Sequence, residues 1–270
     1  MEFSVLISVY HKDKPAELQE ALFSIWDAQL LKPDEIVLIK DGPVTPELEE
    51  VIQDFSGRVP IKVIALTHNI GLGGTLHIGV EACSHEYIAR MDSDDISVPE
   101  RFLKQITFLE KHPEYFACGS MIDEFETDPS QIYGRRVLPE NDEEIRCFIK
   151  LRNPFNHMTV VFKKEFILQV GNYQPLLGYE DYWLWARCLA AGHPGKNLPE
   201  SLVKVRAGRN MLARRRGLSL FRSEIQLAIN LRQIGLLTSV EMYRNMVLKG
   251  TIRLLPICWL KIIYKFLRKK

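Results

Sequence analysis

The sequence predicts an α/β protein with a mostly parallel sheet, on two observations. Along the first 120 residues, short β-rich apolar runs alternate with stretches of helical periodicity, and this βαβαβ rhythm favours parallel strands joined by right-handed crossovers. Polar or glycine-rich motifs follow several of the strand runs, at the end of a parallel sheet where ligands bind. We therefore expect a binding site along the carboxyl edge of the sheet.

Each element of this pattern can be placed along the chain. Four strands are predicted, at residues 3–10, 35–39, 61–66 and 87–91. Four helices alternate with them, at residues 15–30, 45–55 (with Thr45 as its N-cap), 74–82 and 99–111. The strand pattern is looser from residue 116 to residue 162. A strong helical pattern covers residues 178–191, and the patterns after residue 219 are helical only.

The length and composition fit an ordinary globular protein. The chain has 270 residues, of which 46% are hydrophobic and 26% are charged, which is enough for a sizeable core. We expect a main domain over residues 1–218, in which residues 1–120 carry the alternating pattern and residues 121–218 the looser one. A helical C-terminal region is expected over residues 219–270.

The cysteines and the start of the chain bear on the cellular compartment. The five cysteines are odd in number, widely spaced and without a CxxC pair, which favours a reducing cytosol over a disulfide framework or a zinc site. No charged and apolar segment precedes the first strand run, so we expect no signal peptide.

Charge is distributed unevenly along the chain. Residues 201–270 carry 16 Lys and Arg against two acids, Glu224 and Glu241, which is a net charge of +14. Since the whole chain has a net charge of +1, its first 200 residues carry −13. The basic C-terminal part favours an anionic partner, which a membrane surface, a diphosphate group or a nucleic acid would each provide.

The most informative motif is an acidic cluster at the end of the fourth strand run. Arg90 is followed by Asp92, Asp94 and Asp95, three carboxylates within four positions. Clustered like charges need compensation, and Mg²⁺ or Mn²⁺, which binds carboxylates together with substrate phosphates, provides it. The same residues also suit an acidic turn that caps the following helix through Asp95 or Ser97, an arrangement common before helices.

Two further motifs follow other strand runs. A loop with Asn69, Gly71 and Gly73 leads from the third run into a helix, so that backbone N–H groups and the helix N-terminus suit a phosphate. The loop lacks the dinucleotide fingerprint and can equally be a tight turn. Asp41 ends the second run before Gly42, where its carboxylate could accept a hydrogen bond from a base N–H or simply form a turn.

An acid pair and a group of arginines later in the chain suggest catalysis and anion binding. Glu180 and Asp181 open an aromatic-rich helix, where one of them could be a general base or both could simply favour the helix N-terminus. Trp183 suits the core more than a sugar platform but could serve as both. Guanidinium groups suit a diphosphate or a solvated loop, and they recur at Arg206, Arg209, Arg214, Arg215 and Arg216.

The order of these motifs resembles family 2 glycosyltransferases of the GT-A fold over nearly the whole chain. It is most similar to the amylovoran-type exopolysaccharide and O-antigen transferases. The resemblance rests on residues 4–10, 41–42, 69–73, 90–95 and 178–185, and residues 153–159 look like the acceptor-side segment of the family. Two positions depart from the family pattern, because His11 and His77 stand where the family often has Asn.

By this resemblance, the chain would bind a nucleotide sugar, with UDP expected before other nucleotides. Val9 and Tyr10 would line the base pocket, and Asp41 would hold the uracil. Asp92 would lie near the ribose or the metal, and Asp94 would ligate Mn²⁺ or Mg²⁺. The other residues expected around the nucleotide sugar are Asn69, Gly71, Gly73, Arg90 and Arg214.

The resemblance also implies an inverting transfer of a hexose or N-acetylhexosamine. Asp181 would remove the proton of an acceptor hydroxyl, with Glu180 beside it. His157 and Trp183 would lie on the acceptor side. The expected acceptor is a polyprenyl-diphosphate-linked sugar in the synthesis of a bacterial O-antigen, capsule or exopolysaccharide.

The C-terminal sequence suggests where the protein works. Residues 251–270 interleave apolar and basic residues, and their longest apolar run, residues 254–260, is too short for a bilayer span but suits its interface. A soluble helix packed on the domain would show a similar mixed pattern. We expect a cytoplasmic protein, peripheral to the inner face of the plasma membrane, that binds an anionic membrane surface and no nucleic acid.

Two other classes of protein stay open on the sequence. A nucleotidyltransferase on a similar sheet would have a glycine-rich loop with Lys or Arg near its first strand, and residues 8–14 contain no glycine. A non-catalytic nucleotide-sugar-binding or nucleic-acid-binding module would make the acidic cluster and the acid pair accidental. A nucleic-acid-binding module would also bind DNA or RNA in a strongly salt-dependent way.

Overall fold

The computed structural model describes residues 2–207 and 217–250 and contains one nine-stranded sheet. Its strands are, in chain order, β1 (Phe3–Val9), β2 (Glu35–Lys40), β3 (Ile61–Ala65), β4 (Tyr87–Met91), β5 (Ile96–Ser97), β6 (Ala117–Phe125), β7 (Gly134–Arg136), β8 (Val161–Lys163) and β9 (Gly195–Arg206). They lie in the order β3-β2-β1-β4-β8-β6-β9-β5, with β7 beside β6. The first four strands are parallel to one another, as the alternating sequence pattern predicts.

The other half of the sheet is mixed. Strand β8 is antiparallel to β4 and β6, whereas β9 is parallel to β6 and antiparallel to β5. The pairing of β6 with β9 shifts register on both sides of Met121. The extra residues lie in β9, whereas β6 is buried on both faces at nearly every position, so it lacks the alternation that marks a half-exposed strand. The sheet is therefore parallel over β1 to β4 and mixed as a whole.

Nine helices of the described residues accompany the sheet. They are α1 (Pro15–Ile25), α2 (Pro46–Ser56), α3 (Leu72–Ala82), α4 (Arg101–Lys111), α5 (Asp142–Phe148), α6 (Lys164–Gln169), α7 (Glu180–Ala190), α8 (Leu218–Gln233) and α9 (Ser239–Asn245). A 3₁₀ turn covers His157–Thr159, and a π-helical turn covers Met246–Gly250. Thr45 caps α2 as its sequence predicts, because its hydroxyl oxygen accepts the Leu48 N–H at 3.4 Å.

The first helix ends earlier than its apolar pattern predicts. The pattern extends to residue 30, but α1 ends at Ile25. The side-chain amide of Gln29 donates to the Ser24 carbonyl at 2.7 Å, and the Leu30 N–H donates to the Pro99 carbonyl at 3.0 Å. Because these hydrogen bonds direct the chain toward the segment before α4, the apolar residues after Ile25 pack without continuing the helix.

Two apolar cores lie on the two faces of the sheet. Alternate side chains of β1 enter each core, with Leu6 on one face and Val5 and Ile7 on the other. Helices α3, α7 and α8 pack on the Leu6 face, and α1, α2 and α4 pack on the opposite face. Because α8 contributes Leu227 and Leu231, this C-terminal helix shares a core with α7 and the sheet.

Neither a membrane-spanning helix nor a disulfide occurs in the described ranges. Across residues 2–207 and 217–250, no helix combines the length and apolar character needed to cross a membrane. The cysteines of these ranges are free, with Cys83, Cys118 and Cys188 buried and Cys147 exposed. Cys258 and the basic segment of residues 251–270 lie outside the described residues.

Candidate active site

Parallel pairing brings the sequence motifs to one edge of the sheet. Strand β1 lies between β2 and β4, so the segments that follow these three strands are neighbours. Tyr10 follows β1, Asp41 follows β2, and Asp92 follows β4. The loop with Asn69 follows β3 and leads into α3. This is the edge where the sequence pattern predicts the binding site.

The acidic cluster after β4 has the arrangement of a cation site. Carboxylate oxygens of Asp92, Asp94 and Asp95 all lie within 4.8 Å of one another. Burial is the main cause that raises the pKa of Asp94, and the negative charges of Asp92 and Asp13 raise it further. Because the ionised carboxylates repel one another, a bound positive charge would stabilise the ionised cluster. Asp95 Oδ2 is buried without a hydrogen-bond partner in the described part of the chain. Carboxylate oxygens are the ligands that Mg²⁺ and Mn²⁺ prefer.

The cluster does not cap the helix that follows it. Helix α4 begins at Arg101 with Glu100 as its N-cap, and Ser97 lies in β5, which pairs with β9. Asp95 Oδ1 accepts the backbone N–H of Arg206 at 3.0 Å, which joins the cluster to the end of β9. The alternative of an acidic turn that caps α4 through Asp95 or Ser97 is therefore wrong.

Asp13 supports the acidic segment, and the sequence motifs give no signal for it. Its Oδ2 accepts the Tyr10 N–H at 3.1 Å and the Ser93 hydroxyl at 2.8 Å. These bonds fasten the chain after β1 to the acidic segment after β4. A single Asp in a charged stretch has no distinctive spacing, and only the neighbouring positions of β1 and β4 give it this role.

Two buried arginines lie beside the cluster. Arg90 is 1% exposed, and its Nη1 forms an ion pair with Asp92 Oδ1. Its Nε has no hydrogen-bond partner among the residues that the structure describes. Arg101 donates to the Arg90 carbonyl at 2.6 Å, and burial together with the Arg90 charge lowers the pKa of Arg101 to about 9. The guanidinium groups of both arginines offset part of the acidic charge.

Asp41 shapes the glycine-rich loop. Its Oδ1 accepts the Ile70 N–H at 2.7 Å, and its Oδ2 accepts the Gly71 N–H at 3.1 Å and Asn69 Nδ2 at 2.9 Å. Gly42 has a φ of +84°, and a Cβ there would lie 2.8 Å from the Asn69 backbone nitrogen. The turn at Asp41 and Gly42 therefore sets the loop geometry, and the contact of Asp41 with uracil stays a prediction.

The same loop contacts the acid pair that opens α7. A Cβ on Gly73 would lie 2.6 Å from Glu180 Cγ, so glycine leaves the space that the Glu180 side chain occupies. Burial raises the pKa of Glu180. The first turn of α3, where helix N–H groups favour an anion, thus lies against the start of α7.

Asp181 is held on both carboxylate oxygens. Its Oδ1 accepts the Tyr182 N–H at 2.8 Å, and its Oδ2 accepts Asn153 Nδ2 at 2.5 Å. Burial raises the pKa of Asp181 to about 6, although these hydrogen bonds and the Arg90 charge act to lower it. A carboxylate with a pKa near the working pH is suited to accept a proton in catalysis.

Arg90 interacts electrostatically with both acid groups. Its charge acts on the pKa of Asp181, and its guanidinium group forms the ion pair with Asp92. The Tyr173 hydroxyl lies in the same region, since the charges of Arg90, Asp92 and Asp181 all act on its pKa. The acidic cluster and the later acid pair therefore converge on one region, as the mechanism expected from the sequence requires.

His157 and Trp183, expected on the acceptor side, both contact other side chains. His157 Nε2 lies 2.8 Å from the Tyr173 hydroxyl, and burial together with the Arg90 charge holds the pKa of His157 well below its usual range. Trp183 Nε1 donates to Gln174 Oε1 at 2.9 Å. His157 is thus neutral at pH 7 and close to Arg90, and a contact of either residue with an acceptor stays a prediction.

The remaining residues expected at the nucleotide are Tyr10, Val9 and Arg214, and they have different surroundings. Tyr10 is half-buried, and its ring contacts that of His11 edge to face with centroids 5.5 Å apart. The Val9 side chain is 1% exposed and packs in the core below the sheet edge, so only the Val9 main chain could line a base pocket. Arg214 lies outside the described residues, with Arg209, Arg215 and Arg216.

The sheet and its acidic edge have the arrangement of a glycosyltransferase with the GT-A fold. The family model described as Glycosyl transferase family 2 matches residues 4–169, and the chain belongs to this family. The family resemblance that the motifs indicate is confirmed. Membership in a family of glycosyltransferases also sets aside the nucleotidyltransferase alternative.

Individual relatives are similar over almost the whole chain. Over 270 residues the chain is 42% identical to the amylovoran biosynthesis glycosyltransferase AmsE of Erwinia amylovora, with 99% of each protein covered. Over 264 residues it is 36% identical to the UDP-Gal:alpha-D-GlcNAc-diphosphoundecaprenol beta-1,3-galactosyltransferase of Escherichia coli, with 98% of this chain and 95% of the other covered. The mannosyltransferase PcManGT of Pyrobaculum calidifontis, solved with GDP-Man and Mn²⁺, shares the fold at a TM-score of 0.64 and 12% identity, covering 100% of this chain and 81% of the other.

Proposed function

We propose that the protein is a metal-dependent, inverting glycosyltransferase of bacterial surface polysaccharide synthesis. It moves a hexose or N-acetylhexosamine, such as galactose or glucose, from a UDP-sugar to a polyprenyl-diphosphate-linked sugar. The observation that carries the proposal is the convergence of the acidic cluster and Asp181 around Arg90. The relatives support the choice of substrates, because the Escherichia coli enzyme is described with a UDP-Gal donor and a diphosphoundecaprenol-linked acceptor.

The acidic cluster is the proposed metal site. Asp94 and Asp92 are the expected ligands, and the buried Asp95 Oδ2 without a hydrogen-bond partner in the described chain adds a third oxygen nearby. When bound, Mn²⁺ or Mg²⁺ neutralises the diphosphate leaving group. The mannosyltransferase with the same fold was solved with Mn²⁺, which supports the choice of a divalent cation.

The donor is proposed to lie along the carboxyl edge between Tyr10 and the first turn of α3. Asp41 holds the loop of Asn69 and Gly71, and that loop leads into helix N–H groups suited to a phosphate. The main chain of Val9 completes the described part of the donor site, and buried Arg90 is proposed to act on the donor through its ion pair with Asp92. Arg214, which lies outside the described residues, is proposed to contact the diphosphate.

Asp181 is the proposed general base. It accepts the proton of the acceptor hydroxyl, whose oxygen forms a bond to the anomeric carbon as the bond from that carbon to the diphosphate breaks. Attack from the face opposite the leaving group inverts the configuration and needs no covalent enzyme intermediate. Glu180, His157 and Trp183 are proposed to contact the acceptor sugar.

The protein is proposed to work at the inner face of the plasma membrane. Residues 201–270 have a net charge of +14, which favours an anionic surface, and a polyprenyl-linked acceptor is itself anchored in a bilayer. In this proposal residues 1–218 form the catalytic domain, with donor binding in residues 1–120 and the acceptor side in residues 121–218. Residues 219–270 associate with the membrane.

A donor screen tests the proposed reaction. The full chain is incubated with Mn²⁺, a polyprenyl-diphosphate-GlcNAc mimic and each of several UDP-, GDP- and dTDP-sugars, and released nucleoside diphosphate is measured. We expect release with a UDP-hexose or UDP-N-acetylhexosamine, loss of release when the metal is chelated, and a product with inverted anomeric configuration by NMR. Release without any metal, or a retained configuration, would contradict the mechanism.

A further inference from the structure

We propose that α9 and the π-helical turn after it form a docking face for an anionic lipid bilayer, which refines the membrane association in the proposed function. The docking face consists of Val240, Tyr243, Val247 and Leu248. These four large apolar side chains are between 59% and 79% exposed. Apolar patches of this kind on a folded protein mark an interaction surface or a membrane contact.

Helix α9 presents an apolar face to the outside of the protein. Val240, Tyr243 and Val247 recur at the spacing of one helix face. The opposite face is fixed to the protein through polar groups, because buried Asn245 donates to the Lys150 carbonyl at 2.8 Å. Glu241 accepts the Thr238 N–H at 2.8 Å in the cap of the helix. The side of α9 that faces the protein carries Asn245 together with Met242, which packs against the core, whereas the outward side is apolar.

Charge around the docking face favours an anionic surface over a basic or neutral protein partner. Arg244 lies among the apolar residues of the face, and Arg222 and Arg232 are exposed on α8. The acids of residues 217–250 are Glu224, which is 3% exposed, and Glu241, which forms an ion pair with Lys150 at 3.4 Å. Residues 251–270 add six Lys and Arg and no acid. Apolar side chains among basic ones are the composition of an interfacial membrane helix.

The docking face is fastened to the acceptor side of the candidate site. Asn245 anchors α9 to Lys150, three residues before the Asn153 that donates to Asp181. Helix α8 contacts the start of α7, because the Tyr179 hydroxyl donates to Glu224 next to the acid pair. Docking would therefore hold the acceptor side near the surface in which a lipid-linked sugar is anchored.

Vesicle sedimentation of the full chain tests this proposal. The chain, a V240S/Y243S/V247S variant and a control variant F23S/L30S/V137S are mixed with vesicles of phosphatidylglycerol and phosphatidylcholine. We expect the docking-face variant to bind about tenfold or more weakly, because three apolar side chains leave the interface. The control, which changes three exposed apolar residues on other elements, should bind like the unchanged chain.

Two results would overturn the docking face. One is failure of the unchanged chain to bind vesicles. The other is vesicle binding by the docking-face variant that equals that of the unchanged chain, which would assign the binding to another segment. A change of that variant from dimer to monomer without a change in vesicle binding would assign the face to a second copy of the chain. Sugar transfer to a water-soluble acceptor analogue should be equal in both variants, which separates this test from that of the proposed reaction.

A separate observation points to Asn153 as the positioning residue of the proposed base, an inference that rests on the proposed function. Asn153 Nδ2 donates to Asp181 Oδ2 at 2.5 Å. Asn153 Oδ1 accepts the Phe155 N–H at 3.2 Å, which fixes the amide so that its NH₂ group faces the carboxylate. The other carboxylate oxygen of Asp181, its Oδ1, accepts the Tyr182 N–H. The hydrogen bonds from Asn153 and Tyr182 together set the plane of the Asp181 carboxylate.

The pH profile of transfer distinguishes positioning from a merely structural role. The hydrogen bond from Asn153 lowers the pKa of Asp181, so its loss in Asn153→Ala raises that pKa further. We expect the acidic limb of kcat/KM to move to higher pH, while KM for the donor is unchanged. Gln226→Ala, which removes an exposed side-chain hydrogen bond to Asn230 within α8, should leave the limb in place. An unmoved limb in Asn153→Ala would overturn the role, whereas full activity of Asp181→Asn would instead overturn the proposed base.

Discussion

At the scale of single residues, hydrogen bonding gives the carboxylates of Asp41 and Asp181 different environments. Both carboxylate oxygens of Asp41 accept hydrogen bonds from the loop of Asn69, Ile70 and Gly71, so Asp41 fixes the conformation of that loop. Asp181 accepts one backbone and one amide hydrogen bond, and burial raises its pKa to about 6. The second environment suits proton transfer, because a base must be ionised and yet able to take up a proton.

The pH dependence of activity follows from Asp181. At saturating Mn²⁺, kcat/KM should rise with pH around a midpoint of about 6, because the base acts only when deprotonated. Asp181→Asn should lose about 10²–10⁴ in kcat, the usual contribution of a general base. Binding of UDP-sugar, measured by calorimetry, should be retained.

The thermal stability of Asp181→Asn is the control for its loss of activity. The folded-state pKa of Asp181 is raised, so its stabilising contribution is present at low pH and is lost as pH rises through about 6. The neutral Asn should therefore leave Tm at pH 7.5 unchanged or higher. A fall in Tm that accompanies the loss of activity would attribute that loss to misfolding.

At the scale of elements, the close approach of α3 to α7 depends on Gly73, whereas the adjacent Gly74 has a different neighbour. Gly73 faces Glu180, where a Cβ would lie 2.6 Å from Cγ, near the middle of that side chain. Gly74 faces Ile70, where a Cβ would lie 3.0 Å from Cδ1, at the free end of a flexible side chain. Both glycines lie in the first turn of α3. Alanine therefore changes the helix propensity at both positions, but it meets Glu180 only at Gly73.

Alanine at these positions should have different effects on transfer. Gly73→Ala should displace Glu180 and lower kcat/KM about tenfold or more, whereas Gly74→Ala should cost much less because Ile70 can move. Alanine favours a helix over glycine by about 1 kcal/mol, so neither variant should lose much stability in urea unfolding. Equal activity of the two variants would show that the contact with Glu180 has no role in transfer.

At the scale of the whole molecule, the site rests on the aromatic core of one sheet face. Trp185 is fully buried, with ring centroids 5.7 Å from Phe155 and 6.1 Å from His157. The same core includes Leu227 and Leu231 of α8. The acceptor side of the site, the sheet and the C-terminal helices are therefore supported by one set of packed side chains.

Truncation of Trp185 should destabilise the molecule as a whole. Trp185→Ala should lower the free energy of unfolding by about 3–5 kcal/mol, because it leaves a large cavity among aromatic rings. Trp185→Phe should cost about 1.5 kcal/mol or less, since Trp185 Nε1 has no hydrogen-bond partner within the described ranges. Urea unfolding at pH 7 measures both values. A loss below about 1 kcal/mol for Trp185→Ala would mean that the core around α7 is not closely packed.

Much of the fold is visible in the sequence where the pattern is local. The bounds of β4 and of α2 follow from short apolar runs and a capping residue. The strand β6 is not visible, because it is buried on both faces at nearly every position and so shows no alternation of apolar and polar residues. The early end of α1 is also hidden, since Gln29 and Pro99 belong to segments far apart in sequence.

By itself, the sequence determined the family, the parallel half of the sheet and the acidic motifs at its edge, because residue spacing and periodicity record local geometry. Only the tertiary structure decided that Asn153 holds Asp181, that Asp13 joins Ser93, that Gly73 makes room for Glu180 and that Val9 faces the core. All but the last of these are contacts between residues distant in the chain. Strand order and helix packing create them, and no local pattern of residues carries that information.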